Sequence, residues 1–392
     1  MKARKKEMGE ERVKWSDLPT ELLLTIGRSL DTRMDVLRFR SVCRSWCSSI
    51  PPPFFANPPR FPLRFPNADA ANLSEPPGWP PRPAFVFQTT LYYVQTLNPS
   101  TSSSSSNKGW LMKVEESNSG KLRFVNPVLD SRNRYTITRP KTLNLLNFRV
   151  VEFGKAYTLQ FQHPINKRRY FYFPFVKKLV VFPNSTWTNA DECSILMIFV
   201  QGKLGFAKCG DEKWTHVGES SNYDDIIVYK GQFYAVDRMG IVWWIECSSL
   251  KFVQFSPPLC GPCSQKHLVV SCGALYVVDK YNDIDDDTKV VGFEVYKLDE
   301  ELGQWVLVKS LGDQVFVLGG DCSFSVSARE CSGYKEDCIL FIDSRDETLV
   351  FNLKDHSIHE LDSCDHFERF WPPEHTGFPQ SNGWDYTRVY EW

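Results

Sequence analysis

The chain has no long apolar run, almost no net charge and few histidines, and each shortage narrows what it can be. No stretch approaches the ~18 consecutive apolar residues needed to span a bilayer. Met1-Lys2-Ala3-Arg4-Lys5-Lys6 has no apolar segment behind it and so does not read as a secretory signal. The formal net charge is −1, from 46 basic and 47 acidic side chains spread over 392 residues. No broad basic field therefore points to nucleic acid or an anionic membrane. The seven histidines are dispersed, and there is no HExxH helix, glycine-rich phosphate loop or nucleophile elbow.

Cysteine is not scarce, but its twelve copies are scattered. Cys193, Cys209, Cys247, Cys272 and Cys338 sit beside or inside apolar runs, where a thiol behaves as a small hydrophobe. They are read as reduced, not as a disulfide frame, which places the chain in the nucleus and/or the cytoplasm. Residues 1–13 read as a solvated basic tail, a nuclear-import patch being the other reading.

What is present begins with Trp15–Ile50. Leu22, Leu23, Ile26 and Leu30 fall at helical spacing behind Pro19, which suits a first turn. Val36, Phe39, Cys43, Trp46 and Ile50 follow at steps of three and four behind Asp31-Thr32, until Pro51-Pro52-Pro53 stops them. This predicts two or three short helices. Roughly forty residues bury too little to fold well alone, yet this stretch has more apolar side chains than one inward stripe needs. At about 100° per residue Leu24 falls off the Leu22–Ile26–Leu30 face, and Leu37 off the Val36–Phe39–Cys43–Trp46 face. A second apolar surface on so small a unit implies a partner.

The run Leu18-Pro19-Thr20-Glu21-Leu22-Leu23, then Ile26 and Leu30, then Leu37-Arg38-Phe39-Arg40-Ser41-Val42-Cys43-Arg44-Ser45-Trp46, resembles an F-box. Gly27 departs from the family pattern, which has a bulky apolar residue there, and should weaken the helix by up to ~1 kcal/mol relative to alanine. The resemblance implies attachment to a Skp-type adaptor and, through it, a cullin–RING ubiquitin ligase. It puts Leu18, Pro19, Leu22, Ile26, Leu37, Val42, Cys43 and Trp46 in or beside that contact, and the off-face Leu24 joins them. An ordinary helical hairpin packed on the rest of the chain is the plainer alternative.

Residues 54–83 are dense in proline, which favours extended backbone, and Phe54, Phe55, Phe61 and Phe65 make them too apolar for a solvated linker. They are expected to lie against a domain as a connector, and Ser100–Ser106 to be a loop tip. From about Ala84 the period turns strand-like. The phrase Ile226-Ile-Val-Tyr-Lys-Gly-Gln-Phe-Tyr-Ala-Val-Asp237 returns as Leu268-Val-Val-Ser-Cys-Gly-Ala-Leu-Tyr-Val-Val-Asp279, each followed by two more strands, with Gly231 and Gly273 suited to tight turns. Weaker copies run through Val150–Leu159, Ile195–Val217 and Ile339–Leu361. Units of three or four strands every ~40–50 residues signify blades. The expected fold is α+β and multidomain: F-box over 14–53, then over 84–392 an all-β kelch-like β-propeller of about six blades, seven possible. Two β-sandwiches are the alternative. Together with Asn126-Pro127, these phrases resemble the plant F-box family whose kelch-like C-terminal domain is uncharacterised. That resemblance implies target capture by the propeller.

Four patterns suggest chemistry. Cys260-Gly-Pro-Cys263 has the residues of a redox dithiol, but no helix follows to lower a thiol pKa. With His267 and Cys272 it approximates a zinc knuckle, although Cys272 belongs to a predicted strand. Asp283, Asp285, Asp287 and Glu294 have a calcium-loop rhythm, but Thr288 stands where glycine is required. His356 and His359 lie near Glu360 without a nucleophile. No metal, cofactor or catalytic residue is expected. Trp371, Phe378, Trp384 and Trp392 are expected to seal the ring or cover an end of it, part of a recognition surface being the alternative. The reading is a non-catalytic, substrate-recruiting subunit of a Skp–cullin–F-box (SCF) ligase that binds a protein target. A propeller-based enzyme whose turnover the F-box controls is the alternative.

Overall fold

The computed structural model describes residues 15–51, 63–64, 83–97, 108–116, 122–125, 127–128, 148–162, 170–172, 176–183, 192–199, 201–211, 214–218, 222–259, 265–331, 334–345 and 347–360. The chain divides into a small helical unit and a large strand-bearing one. The basic tail, the serine run, most of the proline-rich connector, Cys260-Gly-Pro-Cys263 and the C-terminal aromatics lie outside the described residues.

In the helical unit a short 3-10 turn, Trp15–Asp17, leads to α1 (Thr20–Arg28), α2 (Arg33–Ser41) and α3 (Arg44–Ser49). Pro19 is the N-cap of α1 and so sits one place before the first turn. Its carbonyl accepts from Leu22 and Leu23 N–H. Thr32 caps α2 reciprocally: its Oγ1 accepts from Asp35 N–H at 3.1 Å and donates to Asp35 Oδ2 at 2.6 Å. The chain extends at Cys43, separating α2 from α3. Arg40 on α2 then donates to the carbonyls of Cys47, at 2.7 Å, and Ile50, which satisfies acceptors that the end of α3 leaves open.

Among the described residues the large unit contains 23 strands. They are β1 (Leu63–Arg64), β2 (Pro83–Thr96), β3 (Trp110–Glu116), β4 (Leu122–Val125), β5 (Phe148–Gln162), β6 (Tyr170–Tyr172), β7 (Val176–Phe182), β8 (Ser194–Phe199), β9 (Leu204–Lys208), β10 (Thr215–Val217), β11 (Tyr223–Tyr229), β12 (Gln232–Asp237), β13 (Val242–Ile245), β14 (Phe252–Gln254), β15 (Gln265–Ser271), β16 (Ala274–Asn282), β17 (Val290–Asp299), β18 (Gln304–Val308), β19 (Gln314–Leu318), β20 (Ser323–Ser327), β21 (Cys338–Ile342), β22 (Thr348–Asn352) and β23 (Ile358–Glu360). They form five successive blade-like sheets: β5-β2-β3-β4 with β6 on β5, β7 to β10, β11 to β14, β15 to β18, and β20-β19-β21-β22-β23, the first two continuous in one ten-stranded path. A lone pairing of Tyr157 with Leu179 joins the first two. From the connector, Leu63-Arg64 pairs with Ala84 and Pro83 on β2.

A separate apolar cluster fills each gap between sheets. Leu159 with Leu179 and Met197 lies between first and second; Phe206 with Phe233 between second and third; Val236 with Leu268 between third and fourth; Phe293 with Phe341 between fourth and fifth. A fifth cluster, holding Leu91 and Leu111 with Val317 and Leu340, packs the last sheet on the first. The ring is thereby closed as a β-propeller, and two sandwiches are excluded. This arrangement explains why the strands read as unbroken apolar runs. On β8, Ile195, Met197 and Phe199 enter one inter-sheet core, while Leu196 and Ile198 enter the next.

Five sheets stand among the described residues where about six were expected. The difference arises at Val150–Leu159, which reads as an opening phrase of its own. It lies in β5, which pairs with β2 along its whole length, from Ala84↔Phe161 to Thr96↔Phe148, so two sequence units merge into one sheet. Conversely, β19 and β20 escape the repeat reading. Their signal is the strict alternation Ser323-Phe-Ser-Val-Ser327, whose Phe324 and Val326 are buried.

Candidate docking surface

Four side chains, Leu23, Val36, Phe39 and Ile50, make the core of the helical unit, with Leu18, Leu24, Leu30 and Trp46 partly buried against them. Phe39 and Trp46 stack with centroids 4.6 Å apart, and Trp46 Nε1–H donates to the Trp15 carbonyl at 3.0 Å. The inward face of α1 therefore runs through Leu23, Gly27 and Leu30. This corrects the phase expected from sequence, which turned Leu22 and Ile26 inward and Leu24 outward. The cause is Gly27. A Cβ there would lie 2.6 Å from Ile50 Cγ2, so Ile50 fills the space that a bulky residue at position 27 would take.

The surplus apolar surface is consequently Leu22 and Ile26, one turn apart on α1, with Leu37 on α2 and Val42 at its end. They are 51%, 39%, 36% and 55% exposed. Trp15, at 71%, belongs with them and was not among the residues singled out by the spacing. Its position just ahead of the first helix was the available signal. Of the other expected residues, Pro19 is exposed, while Leu18, Leu24, Cys43 and Trp46 are half-buried. Leu24 and Trp46 act chiefly on the helices' own core. A hydrogen bond with Ser45 and the Trp46 N–H hold the Cys43 thiol below its ordinary pKa.

Covering a half-exposed Leu, Ile or Val contributes on the order of 1 kcal/mol, about half of what full burial gives. Such a cluster on so small a unit suits a protein partner. Around it, Arg38 pairs with Asp35 at 3.0 Å, a solvated bridge of little energetic weight.

The chemical patterns on the β unit come apart in the structure. His267 lies near the start of β15, while Cys272 is exposed in the turn beyond its far end, roughly 16 Å away at strand rise. The zinc set is thus divided. Cys272 is not the small core hydrophobe expected: with φ of +48° it shares a two-residue turn with Gly273, and Lys230-Gly231 repeats that turn between β11 and β12. The loop after β16 is shaped by its own side chains. Asp283 Oδ1 accepts from Asp285 N–H and Asp286 Oδ1 from Thr288 N–H, while Glu294 instead accepts from Tyr281 and Tyr296. Ser357 Oγ lies 2.9 Å from His359 Nε2 on the exposed last strand. Among the described residues no group of three His, Cys, Asp or Glu side chains could hold a metal ion, and no helix is long and apolar enough to cross a membrane.

Comparison with known proteins places both units. The F-box-like family model matches residues 15–53, and the KIB1-4 beta-propeller model matches residues 85–352. F-box protein At4g35733 of Arabidopsis thaliana is 31% identical, the alignment covering 93% of this chain and 99% of that protein. F-box protein At2g26160 of the same plant is 30% identical over 87% and 98%, and F-box protein SKIP23 is 28% identical over 92% and 95%. Among solved structures, the Neurospora crassa Pan2 WD40 domain is similar with a TM-score of 0.29 and 8% identity, over 64% of this chain and 75% of that one.

Proposed function

The chain belongs to the plant F-box family that carries a KIB1-4 β-propeller, and on that premise we propose that it is a substrate-recruiting subunit of an SCF ubiquitin ligase. The helical unit docks on a Skp-type adaptor, and through it on a cullin–RING ligase; the propeller holds a protein target. F-box proteins of this kind are generally non-catalytic adaptors. The contribution of this chain is tethering, which converts a chance encounter with the ubiquitin-carrying machinery into a reaction at high effective concentration.

One observation carries this reading. Leu22, Ile26, Leu37 and Val42 remain accessible on a helical unit whose own core comprises, among the described residues, four buried large side chains. The test is co-purification of the full chain with a Skp-type adaptor, comparing wild type with Leu22→Asp/Leu37→Asp. Both positions are exposed, so helical content and the propeller's thermal midpoint should stay unchanged while adaptor is lost. Adaptor retained at wild-type levels by the folded variant overturns the assignment.

A further inference from the structure

The end of α2 sets a hydroxyl among the apolar side chains of the docking surface. Ser41 is the last residue of α2, one turn on from Leu37 and therefore on the same face, and it directly precedes Val42. All three are exposed. The chain then leaves the helix and reaches extended backbone at Cys43. Val42 N–H donates to the Phe39 carbonyl and not to that of Arg38, which Ser41 Oγ serves instead at 2.7 Å.

Arginines flank this serine: Arg38 three residues before it, Arg40 one before and Arg44 three after. Arg40 is turned inward, onto the carbonyls of Cys47 and Ile50. Arg38 and Arg44 are exposed, and Arg38 shares a solvated bridge with Asp35. Arginine three residues before a hydroxyl is a charge pattern selected by protein kinases whose peptide groove carries carboxylates, because a guanidinium pairs with a carboxylate through two parallel hydrogen bonds. Among the described residues the pattern occurs at Ser41 and at Thr348, and Thr348 is buried. Ser29 is the informative contrast. It ends α1 in the same way, with its Oγ on the Ile26 carbonyl at 2.7 Å, but there isoleucine stands three residues before.

We propose that Ser41 is a phosphorylation site for an arginine-directed protein kinase, and that its phosphate releases the helical unit from the adaptor. In the transfer, Ser41 Oγ bonds to the γ-phosphorus of ATP, the bond from that phosphorus to the bridging oxygen breaks, ADP leaves, and the hydroxyl proton passes to a base of the kinase. The product carries close to two negative charges and accepts hydrogen bonds without donating. It removes the hydrogen that served the Arg38 carbonyl and sets charge at the negative end of the helix. A partner closing over Leu37 and Val42 would also have to strip water from a dianion, which is costly without a cation to replace it. Modification takes place on the adaptor-free chain, since docking covers Ser41 and the end of α2 must open locally to enter a kinase groove. The release half of the proposal rests on the recruiting role above; the modification half does not.

The full chain is incubated with ATP and the catalytic subunit of cAMP-dependent protein kinase, an arginine-directed probe, beside a mock treatment without ATP. Ser41→Ala and Ser29→Ala are treated in parallel; both serines are exposed, so both variants fold. Mass spectrometry locates the phosphate, and calorimetry measures affinity for a Skp-type adaptor. Phosphate is expected on Ser41 and not on Ser29. Adaptor affinity should fall at least about tenfold in treated wild type and in Ser29→Ala, and stay unchanged in Ser41→Ala. Adaptor bound beforehand should slow the modification. An unmodified Ser41, or a chain phosphorylated there that binds adaptor as the mock-treated chain does, overturns the proposal. A mock-treated chain that binds no adaptor overturns the recruiting role and the release with it, and the mass spectrum still decides whether Ser41 is modified.

Discussion

Asp225 is a single residue that ties three sheets together. Its Oδ1 accepts from its own strand at Ile226 N–H, 2.8 Å, and from Lys178 of the preceding sheet; its Oδ2 accepts from Leu268 N–H of the following sheet at 2.9 Å. Burial raises its pKa, but Lys178, His267 and these hydrogen bonds more than offset this and hold the carboxyl below the usual range. Asp225→Ala leaves a buried ammonium and two N–H groups unsatisfied, so a loss of ~3–5 kcal/mol is expected in denaturant titration of the propeller. The acid response follows from two depressed groups. Asp225 contributes stability above the ordinary carboxylate range that disappears as pH falls through its lowered pKa. His267 binds its proton at about 3 when folded against 6.5 otherwise, so stability drops as pH falls from 6.5 toward 3. In His267→Gln the thermal midpoint should decline less steeply across that window. Neither role was legible in the sequence. A bulge that brings Asp224 and Asp225 together depends on which strands become neighbours, whereas alternation along one strand predicts opposite faces.

Among the elements, α1 shows how a missing side chain sets the phase of a helix. Leu22-Leu23-Leu24 supports several inward faces equally well, and Ile50, 23 positions after Gly27, decides for the Leu23–Gly27 face by occupying the gap. Gly27→Ala would gain up to ~1 kcal/mol in helix propensity yet force the buried Ile50 aside, an overpacking cost of ~1–3 kcal/mol. Ile50→Ala alone should cost ~2–5 kcal/mol. The double variant should cost less than the sum, and a double-mutant cycle by thermal unfolding of the helical unit measures that coupling. The tight turns, by contrast, were readable. Lys230-Gly231 and Cys272-Gly273 both need positive φ at two successive positions, and glycine at the second marks them locally. The helix N-cap at Thr32 was legible for the same reason: its partner Asp35 is three residues away.

At the scale of the molecule, closure depends on residues two hundred positions apart. Lys113 on β3 grips both oxygens of Asp321 at 2.7 Å with both side chains buried, Gly109 N–H donates to the Glu330 carbonyl at 2.7 Å, and Lys108 Nζ to that of Ala328 at 2.9 Å. Asp321→Ala removes a bidentate carboxylate from a buried lysine and should cost ~3–5 kcal/mol, whereas Lys113→Met/Asp321→Leu should recover much of that loss, because the apolar pair replaces the buried ion pair. Equal unfolding midpoints for the single and double variants would contradict this account of the closure. The ring architecture was legible from its repeated phrases and both-face apolar runs. The identity of the closing partners was not, since nothing local in Lys113 or Asp321 names the other. The terminal tryptophans expected to seal the ring lie outside the described residues, and the joint seen here lies between the first sheet and the last.

That joint has a consequence for synthesis. On the ribosome the helical unit emerges ahead of the β unit, but the first sheet must wait for residues beyond 314 before its open flank is covered. Until then Leu91 and Leu111 face solvent or a chaperone. A message truncated before the last sheet would yield complete helices beside an unclosed ring, its first sheet still bare on one flank.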